Sequence, residues 1–392
     1  MTGPESAATV ASLRCNAVLA YLDHAATGPL NPAAASAMAP WLGGRFGNPS
    51  GSHRVARAAR AAVDEARDRL AAFVGVEPAG IIFTSGGTEA DNLAVLGAVA
   101  ARSGPVVISA VEHPAVVQAA LASGQETRVI PVDHDGLVDM EALRSLLDPD
   151  VVLVSVQLAN NETGVVQPLD EIARRVRKRA PRALLHTDAV QAPAWIDLSK
   201  AAAAVDLLSL SSHKMGGPQG VGLLAARGRP ALRPVLHGGG QERELRSGTH
   251  NVAGIVGFAA AAEAADASRE ANSQRVGAMR DGLSARIRAE VPGVIETAPA
   301  GPRLPGHLHM RFEGVESESL LVLLDESGVC VSAGSACASG AVEPSAVLLA
   351  MGVEKDDALS SLRLTLGVTT TPEEVDWAAR AVCSSVRTLR GH

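Results

Sequence analysis

Lysine is scarce in this chain. Of its 35 Lys and Arg residues only Lys178, Lys200, Lys214 and Lys355 are lysines, so arginine supplies a permanent positive charge almost everywhere. What arginine cannot supply is an amine that sheds its proton. Aromatic residues are as thin, 2% of 392 residues with a single tyrosine, and alanine, valine and leucine must fill the core. The four cysteines (Cys15, Cys330, Cys337, Cys383) are widely spaced with no C-x-x-C pair, which argues against a disulfide framework and against a zinc or other metal site. A reducing, cytoplasmic compartment is the expectation. No basic face stands out at a net charge of −7, so a nucleic-acid partner is not expected. The longest apolar stretch, Val252 to Ala262, is interrupted by Glu263; it is too short to span a bilayer and reads as a buried helix. The N-terminus has no charged region ahead of an apolar run, so a secretory signal is not expected, and residues 1 to about 20 read as a loosely ordered extension. There is no internal repeat and no low-complexity linker.

What is present is a long, 47% apolar chain, enough for two or three domains. Residues 54–74 carry Val55, Ala59, Val63, Ala66, Leu70 and Phe73 at intervals of three and four before Gly75, the pattern of an amphipathic helix. Short apolar strands then alternate with helices. The strands are expected at Ile81 to Thr84, Val106 to Ser109, Arg128 to Val132, Val151 to Gln157, Ala183 to Thr187, Val205 to Ser211 and Val221 to Ala226. Such alternation predicts a mostly parallel sheet covered on both faces. After about residue 250 the pattern changes to two long helices, near 251–268 and 273–290, followed by strands at His307 to Phe312, Val329 to Ser332 and Ser361 to Leu366. A final helix opens at Thr371-Pro372-Glu373-Glu374, with Thr371 as N-cap and proline at the first position. This second half reads as a smaller α+β domain.

Three sites carry chemistry. Lys214 stands in Ser211-Ser212-His213-Lys214-Met215-Gly216-Gly217-Pro218, between a histidine and a Gly-Gly-Pro turn; it is a candidate Schiff-base amine, the alternative being an exposed loop lysine. The other three lysines have the settings of a solvated surface. Ser85-Gly86-Gly87-Thr88 joins a strand to a helix, where backbone N–H groups and the helix dipole suit an anion; an ordinary Gly-Gly turn is the alternative. Asp188 and Gln191 follow an apolar strand, at the strand end where ligands bind in such sheets. Asp188 there can face a ring nitrogen or merely cap a helix. Pyridoxal phosphate is the one cofactor that needs an amine, an anion pocket and a carboxylate together. Cys337 lies in the small-residue run Ser335 to Gly340, which leaves it open to be either reactive or inert.

These motifs, with Tyr21-Leu22-Asp23-His24, Gly47-Asn48-Pro49-Ser50, Glu112-His113, Asn160-Asn161-Glu162-Thr163-Gly164, Arg246-Ser247-Gly248-Thr249 and Leu362-Arg363-Leu364 in the same order, make the chain resemble the pyridoxal-phosphate-dependent cysteine desulfurases of the class V aminotransferase fold group. The resemblance implies an α/β, aspartate-aminotransferase-like fold, with a large domain of mixed, mostly parallel sheet and a smaller α+β domain. Domain bounds are expected at 1–30 for an N-terminal segment packing with the small domain, 31–268 for the cofactor domain and 269–392 for the small domain. It further implies that Lys214 holds the cofactor, that Asp188 pairs with the ring nitrogen, that Asn161 and Gln191 hydrogen-bond the ring side and that His113 stacks on the ring and moves protons. Phosphate ligands map to Gly87, Thr88, Ser211 and His213, with Thr249 reaching in from a second subunit of a homodimer. Asn48 and Arg363 are the expected clamp for the L-cysteine carboxylate, and Cys337 the thiolate that receives sulfur as a persulfide while L-alanine leaves. The sulfur passes on to an acceptor protein whose identity stays open, whether for iron–sulfur clusters, tRNA thiolation or biosynthesis, because relatives that serve iron–sulfur scaffolds often carry a docking tail where this chain has only Arg390-Gly391-His392. Selenocysteine lysis or another β-lysis is the alternative reaction, and a non-catalytic scaffold role the alternative to an enzyme.

Overall fold

The computed structural model describes residues 19–333 and 343–391. Among them the strands in chain order are β1 (Ala20–Tyr21), β2 (Ile81–Thr84), β3 (Val106–Ser109), β4 (Thr127–Ile130), β5 (Leu153–Ser155), β6 (Leu184–Asp188), β7 (Leu207–Ser211), β8 (Gly222–Ala226), β9 (Val294–Glu296), β10 (His307–Phe312), β11 (Val329–Cys330) and β12 (Ser361–Thr365). Seven of them form one sheet in the order β2-β8-β7-β6-β5-β3-β4. β8 runs antiparallel to both of its neighbours and the other pairs are parallel. Both faces are buried, so β2 and β3 read as apolar runs of three residues rather than alternating ones. β2, β3 and β10 match the expected runs, while several other strands are shorter than the apolar runs that announce them. Of Val151 to Gln157, for example, only Leu153–Ser155 pairs, and the flanking residues stay buried in loops at the strand ends.

The amphipathic stretch at 54–74 is the helix Arg54–Val74, closed by Gly75 at φ 71°. The Gly87–Ala101 helix packs against β7 and β8. In the second half, β10 lies between β9 and β12 in an antiparallel sheet, with Leu308 opposite Leu364 and Met310 opposite Leu362. β1 pairs with β11 in parallel, Ala20 opposite Val329. The final helix, Pro372–Leu389, opens with a reciprocal cap in which Thr371 Oγ1 accepts the Glu374 N–H at 3.2 Å and Glu374 Oε2 accepts the Thr371 N–H at 2.8 Å.

One expectation is corrected. The two helices near 251–268 and 273–290 are a single helix, Val252–Glu290. Residues 263–275 contain no buried side chain, so the hydrophobic signal lapses there, yet the segment has no glycine or proline and is rich in Ala, Glu, Arg and Gln, which keep a helix going in water. Its first half packs Ile255 and Phe258 into the core under the seven-stranded sheet, and its second half packs Val276, Leu283 and Ile287 into a second core with Leu308, Leu364, Ala20 and Leu22. Position 268 thus lies half-buried within one continuous element. The helix Pro32–Leu42 has no strong apolar stripe and was not foreseen; Asn31 caps it by accepting the Ala33 N–H at 2.8 Å. No described helix is long and apolar enough to cross a membrane.

Candidate active site

The carboxyl ends of β6 and β7 and the start of the Gly87–Ala101 helix converge on a cavity of about 430 Å³, whose walls include Asp23, Thr88, His113, Asp188, Lys214 and Arg363. β7 ends in the short 3-10 turn Ser212–Met215, closed by Gly216 at φ 81°, and this turn carries Lys214 into the cavity. A glycine suits that closing position because the left-handed region is strained for other residues. Lys214 Nζ donates to the carbonyls of Ala25 and Ala26, the latter at 2.7 Å. Burial, and then the Arg363 guanidinium, lower its pKa to about 8 against the opposing pull of Asp23 and Asp188.

Asp188 is buried at the last position of β6, and its Oδ1 accepts the Val190 N–H at 2.8 Å. Burial pushes its carboxyl upward; that backbone bond and the nearby His113 and Lys214 pull the other way. Gln191 Nε2 donates to the Ala25 carbonyl at 3.0 Å, which holds the amide on the cavity wall. His113 caps the Pro114–Ala122 helix, its Nδ1 accepting the Ala115 N–H at 3.1 Å. Burial lowers its pKa, and the capping bond puts the proton of the neutral ring on Nε2. Proline at the next position fixes the turn that aims the ring.

At the anion-binding corner, Gly87 and Thr88 open the helix and Ser211 and His213 face them across the cavity. A Cβ on Gly87 would meet Val190 Cγ2 at 2.7 Å, so the close approach of helix and β6 turn requires glycine. His213 is kept neutral by burial and by Lys214, with a pKa of about 4, and its Nδ1 bonds Thr27 Oγ1 at 3.0 Å.

Arg363 is buried in β12. It donates from Nη2 to Asp23 Oδ1 at 2.8 Å and from Nη1 to the Asn161 carbonyl at 3.1 Å, while its Nε has no partner. A buried guanidinium N–H without an acceptor is costly, so this edge is a donor open to an anionic group. Asn161 also lines the cavity.

Two expected residues are not brought to the cavity of a single chain. Asn48 is exposed, its Oδ1 accepting the Ser50 N–H at 3.0 Å, and Thr249 is exposed on another part of the surface. Cys337 lies outside the described residues. Ser332, five positions before it, is on the cavity wall and bridges to Arg363, and Ser345, eight positions after it, donates to Glu162 Oε2 at 2.5 Å. The sequence reading missed Asp23 and Asp91 as wall residues and gave Glu112 no role. Asp91 had a visible signal: an acid on the apolar face of a helix, between Ala90 and Leu93.

Comparison with known proteins decides the family. The model of the class V aminotransferases matches residues 20–377. The chain belongs to this family. It is 42% identical to an IscS-like cysteine desulfurase of Mycobacterium tuberculosis, over 95% of this chain and 97% of that protein. It is 39% identical to a cysteine desulfurase IscS of Dictyoglomus turgidum, over 94% and 95%. The solved structure of a NifS-like protein superposes with a TM-score of 0.88 at 33% identity, covering 94% of this chain and 99% of that one. The class V fold therefore extends over nearly the whole chain, including the arginine-bearing strand β12.

Proposed function

We propose that this chain is a cysteine desulfurase: it converts L-cysteine to L-alanine and leaves the sulfur as a persulfide on Cys337, using pyridoxal 5′-phosphate held on Lys214. One observation carries the reading. A titratable amine (Lys214), a buried carboxylate (Asp188) and a buried guanidinium with an open N–H (Arg363) share one cavity, and the relatives of similar length are named for this reaction.

The residues present fit the cofactor. The buried Asp188 suits a protonated ring nitrogen, the Gly87 close approach leaves the helix amides free for a phosphate, and Ser211 and His213 add donors at the same corner. When bound, the cofactor supplies an aldehyde for the amine and an electron-withdrawing ring. The chain's own groups do the rest. Arg363 takes the substrate carboxylate on its Nε edge. Lys214, with a pKa of about 8, is a base near neutral pH and removes the α-proton. His113 is neutral with its N–H on Nε2, so it can hand on a proton. The Cys337 thiolate forms an S–S bond to the substrate sulfur as the C–S bond breaks, and the carbon skeleton takes up a proton to become alanine. Atoms balance: thiol plus cysteine gives persulfide plus alanine. That the cavity wall includes Ser332, five residues before Cys337, supports this role for the thiol.

A homodimer is part of the proposal, with Thr249, exposed in the single chain, reaching into the cavity of the second subunit. The sulfur then passes to an acceptor protein. Incubation with L-cysteine and a reductant should yield alanine and sulfide in equal amounts. Cys337→Ala should abolish both while keeping the visible absorption of the bound cofactor. No alanine from wild-type enzyme with cofactor bound would reject the reading, and selenocysteine turnover surviving in Cys337→Ala, with none on cysteine in the wild type, would favour the lyase instead.

A further inference from the structure

Behind Asp188 lies a set of buried polar groups that the mechanism above does not use. Glu112 Oε1 accepts the Gln157 N–H at 2.7 Å, and its Oε2 lies 3.4 Å from Ser155 Oγ. Ser155 Oγ is 2.8 Å from His186 Nδ1, and His186 Nε2 is 3.0 Å from Ser209 Oγ. Ser209 in turn bonds Asp91. The five side chains come from β5, β6, β7, the Gly87–Ala101 helix and the loop after β3, and form one continuous chain from Glu112 to Asp91. His186 is fully buried with a pKa lowered to about 3, so it carries one proton and no charge.

Asp91 ends this chain on the cavity wall, 1% exposed, and its Oδ1 has no hydrogen-bond partner. Oδ1 is 3.6 Å from His186 Nε2, too far for a good bond, and carboxyl and ring atoms of Asp91, Asp188 and His113 lie within 4.8 Å of one another. The charged and titratable groups facing Asp91 are Asp188, Glu112, His186 and His113, two acids and two neutral imidazoles; Lys214 acts on Asp188. Two carboxylates this close, buried and without a cation between them, cannot both ionise.

We propose that Asp91 is a positioning residue that holds a proton, so that Asp188 is the one anion presented to the cofactor ring. This rests on the reading of Asp188 given above, and it adds the residue that determines where the negative charge sits. Were Asp91 ionised, its field would push the shared proton onto Asp188 and leave the ring nitrogen facing a neutral acid. The Ser209 bond by itself favours the charged form of Asp91, but Oδ1 has no donor that would stabilise an anion there, so Oδ1 is the oxygen left to carry the acid proton beside the second buried carboxyl. Burial and Asp188 both raise the Asp91 carboxyl, and burial raises Glu112, in keeping with neutral acids at both ends.

The test uses full-length protein, with and without added pyridoxal phosphate, comparing wild type with Asp91→Asn. An acid whose native pKa is raised contributes most at low pH and loses that contribution as pH climbs from its unfolded value toward the folded one. Asn lacks that loss. The melting temperature of Asp91→Asn minus that of wild type should therefore become more positive from about pH 4.5 to about pH 8. A difference that becomes more negative, or stays flat, overturns the proposal. Infrared difference spectra of hydrogen–deuterium exchanged protein give a second measurement that does not depend on how well the variant folds. Wild type near neutral pH should show the carbonyl stretch of a protonated carboxylic acid that survives Glu112→Gln and is lost in Asp91→Asn; absence of any such band in wild type overturns the proposal. Both cofactor-free arms stand even if wild type proves unable to bind pyridoxal phosphate, a result that would strike the functional reading alone.

Discussion

Cofactor loading should report the proton affinity of Lys214 directly. Only the neutral amine attacks an aldehyde, so the loading rate of cofactor-free enzyme scales with the neutral fraction. With a pKa of about 8, that fraction is about 3% at about pH 6.5, about 24% at about pH 7.5 and about 90% at about pH 9. A lysine at its ordinary value near 10.4 would be only about 0.1% neutral at about pH 7.5. The structure therefore predicts loading about 200-fold faster near neutrality than an unperturbed lysine permits. It also predicts a profile that climbs about 30-fold from about pH 6.5 to about pH 9 and then levels off. Stopped-flow absorbance after mixing cofactor-free enzyme with pyridoxal phosphate measures the rate, and borohydride reduction with peptide mapping confirms the position. A rate still rising tenfold per unit beyond about pH 9, or a label retained when Lys214 is alanine, would refute the argument that burial and Arg363 have weakened this amine.

Arg363→Met removes the second-largest cause of the Lys214 shift, so the midpoint of that loading profile should move upward, and KM for cysteine should rise more than kcat falls; an unmoved midpoint would reject the electrostatic link. Gly87→Ala places a Cβ against Val190 Cγ2 and should weaken cofactor affinity by about tenfold, about 1.4 kcal/mol, with partial recovery in the Gly87→Ala, Val190→Ala pair by fluorescence titration; no recovery would place the strain elsewhere. Glu242 is buried, bonded bidentately by Arg67 at 2.6 and 2.9 Å and also by His250 and the Phe83 N–H. Burial alone would raise it, yet these partners hold its pKa at about 2. Its contribution is present above the unfolded value near 4.3 and lost as pH falls toward 2. Glu242→Gln should cost about 3–5 kcal/mol at neutral pH, with a deficit in thermal or urea unfolding that shrinks on acidification.

Much of this architecture was legible because its signals are local. The helix at 54–74 is announced by apolar residues at helical spacing and a terminal glycine, and the helix after Thr371 by a cap, a proline and two acids. Lys214, Asp188 and Gly87 stood out because strand ends followed by a small or polar turn are where such sheets present side chains. The misread segments lacked a local signal. The polar stretch 263–275 looked like a break because burial, not helix propensity, was the cue, and residues facing water on a bridge between two cores give none. The Pro32–Leu42 helix mixes alanines with two prolines and buries only Ala34, so it has no stripe to read. The partners of Asp23 and Asp91 are 340 residues away in one case and on neighbouring strands in the other, which no local pattern encodes. Asn48 and Thr249 drew their roles from resemblance alone, and a single chain holds both away from the cavity.

The cavity's charges are linked, and under the proposed function the link would favour proton abstraction once substrate is present. Arg363 is half neutralised by Asp23, and it still lowers the proton affinity of Lys214. In that reading a substrate carboxylate arriving on the open Nε edge would cancel that remaining field, and Lys214 would become a stronger base at the moment an α-proton is within reach. Asp23 keeps the guanidinium in place without occupying the Nε edge, because its bond is to Nη2. In the proposed reaction the arginine that would recognise the amino acid thus also keeps the resting amine neutral enough to accept a cofactor, and would release that restraint on binding. A lysine in the place of Arg363 would supply the charge but not the planar fork that serves Asp23, Asn161 and a ligand at once, which explains why a chain so poor in lysine relies on an arginine here.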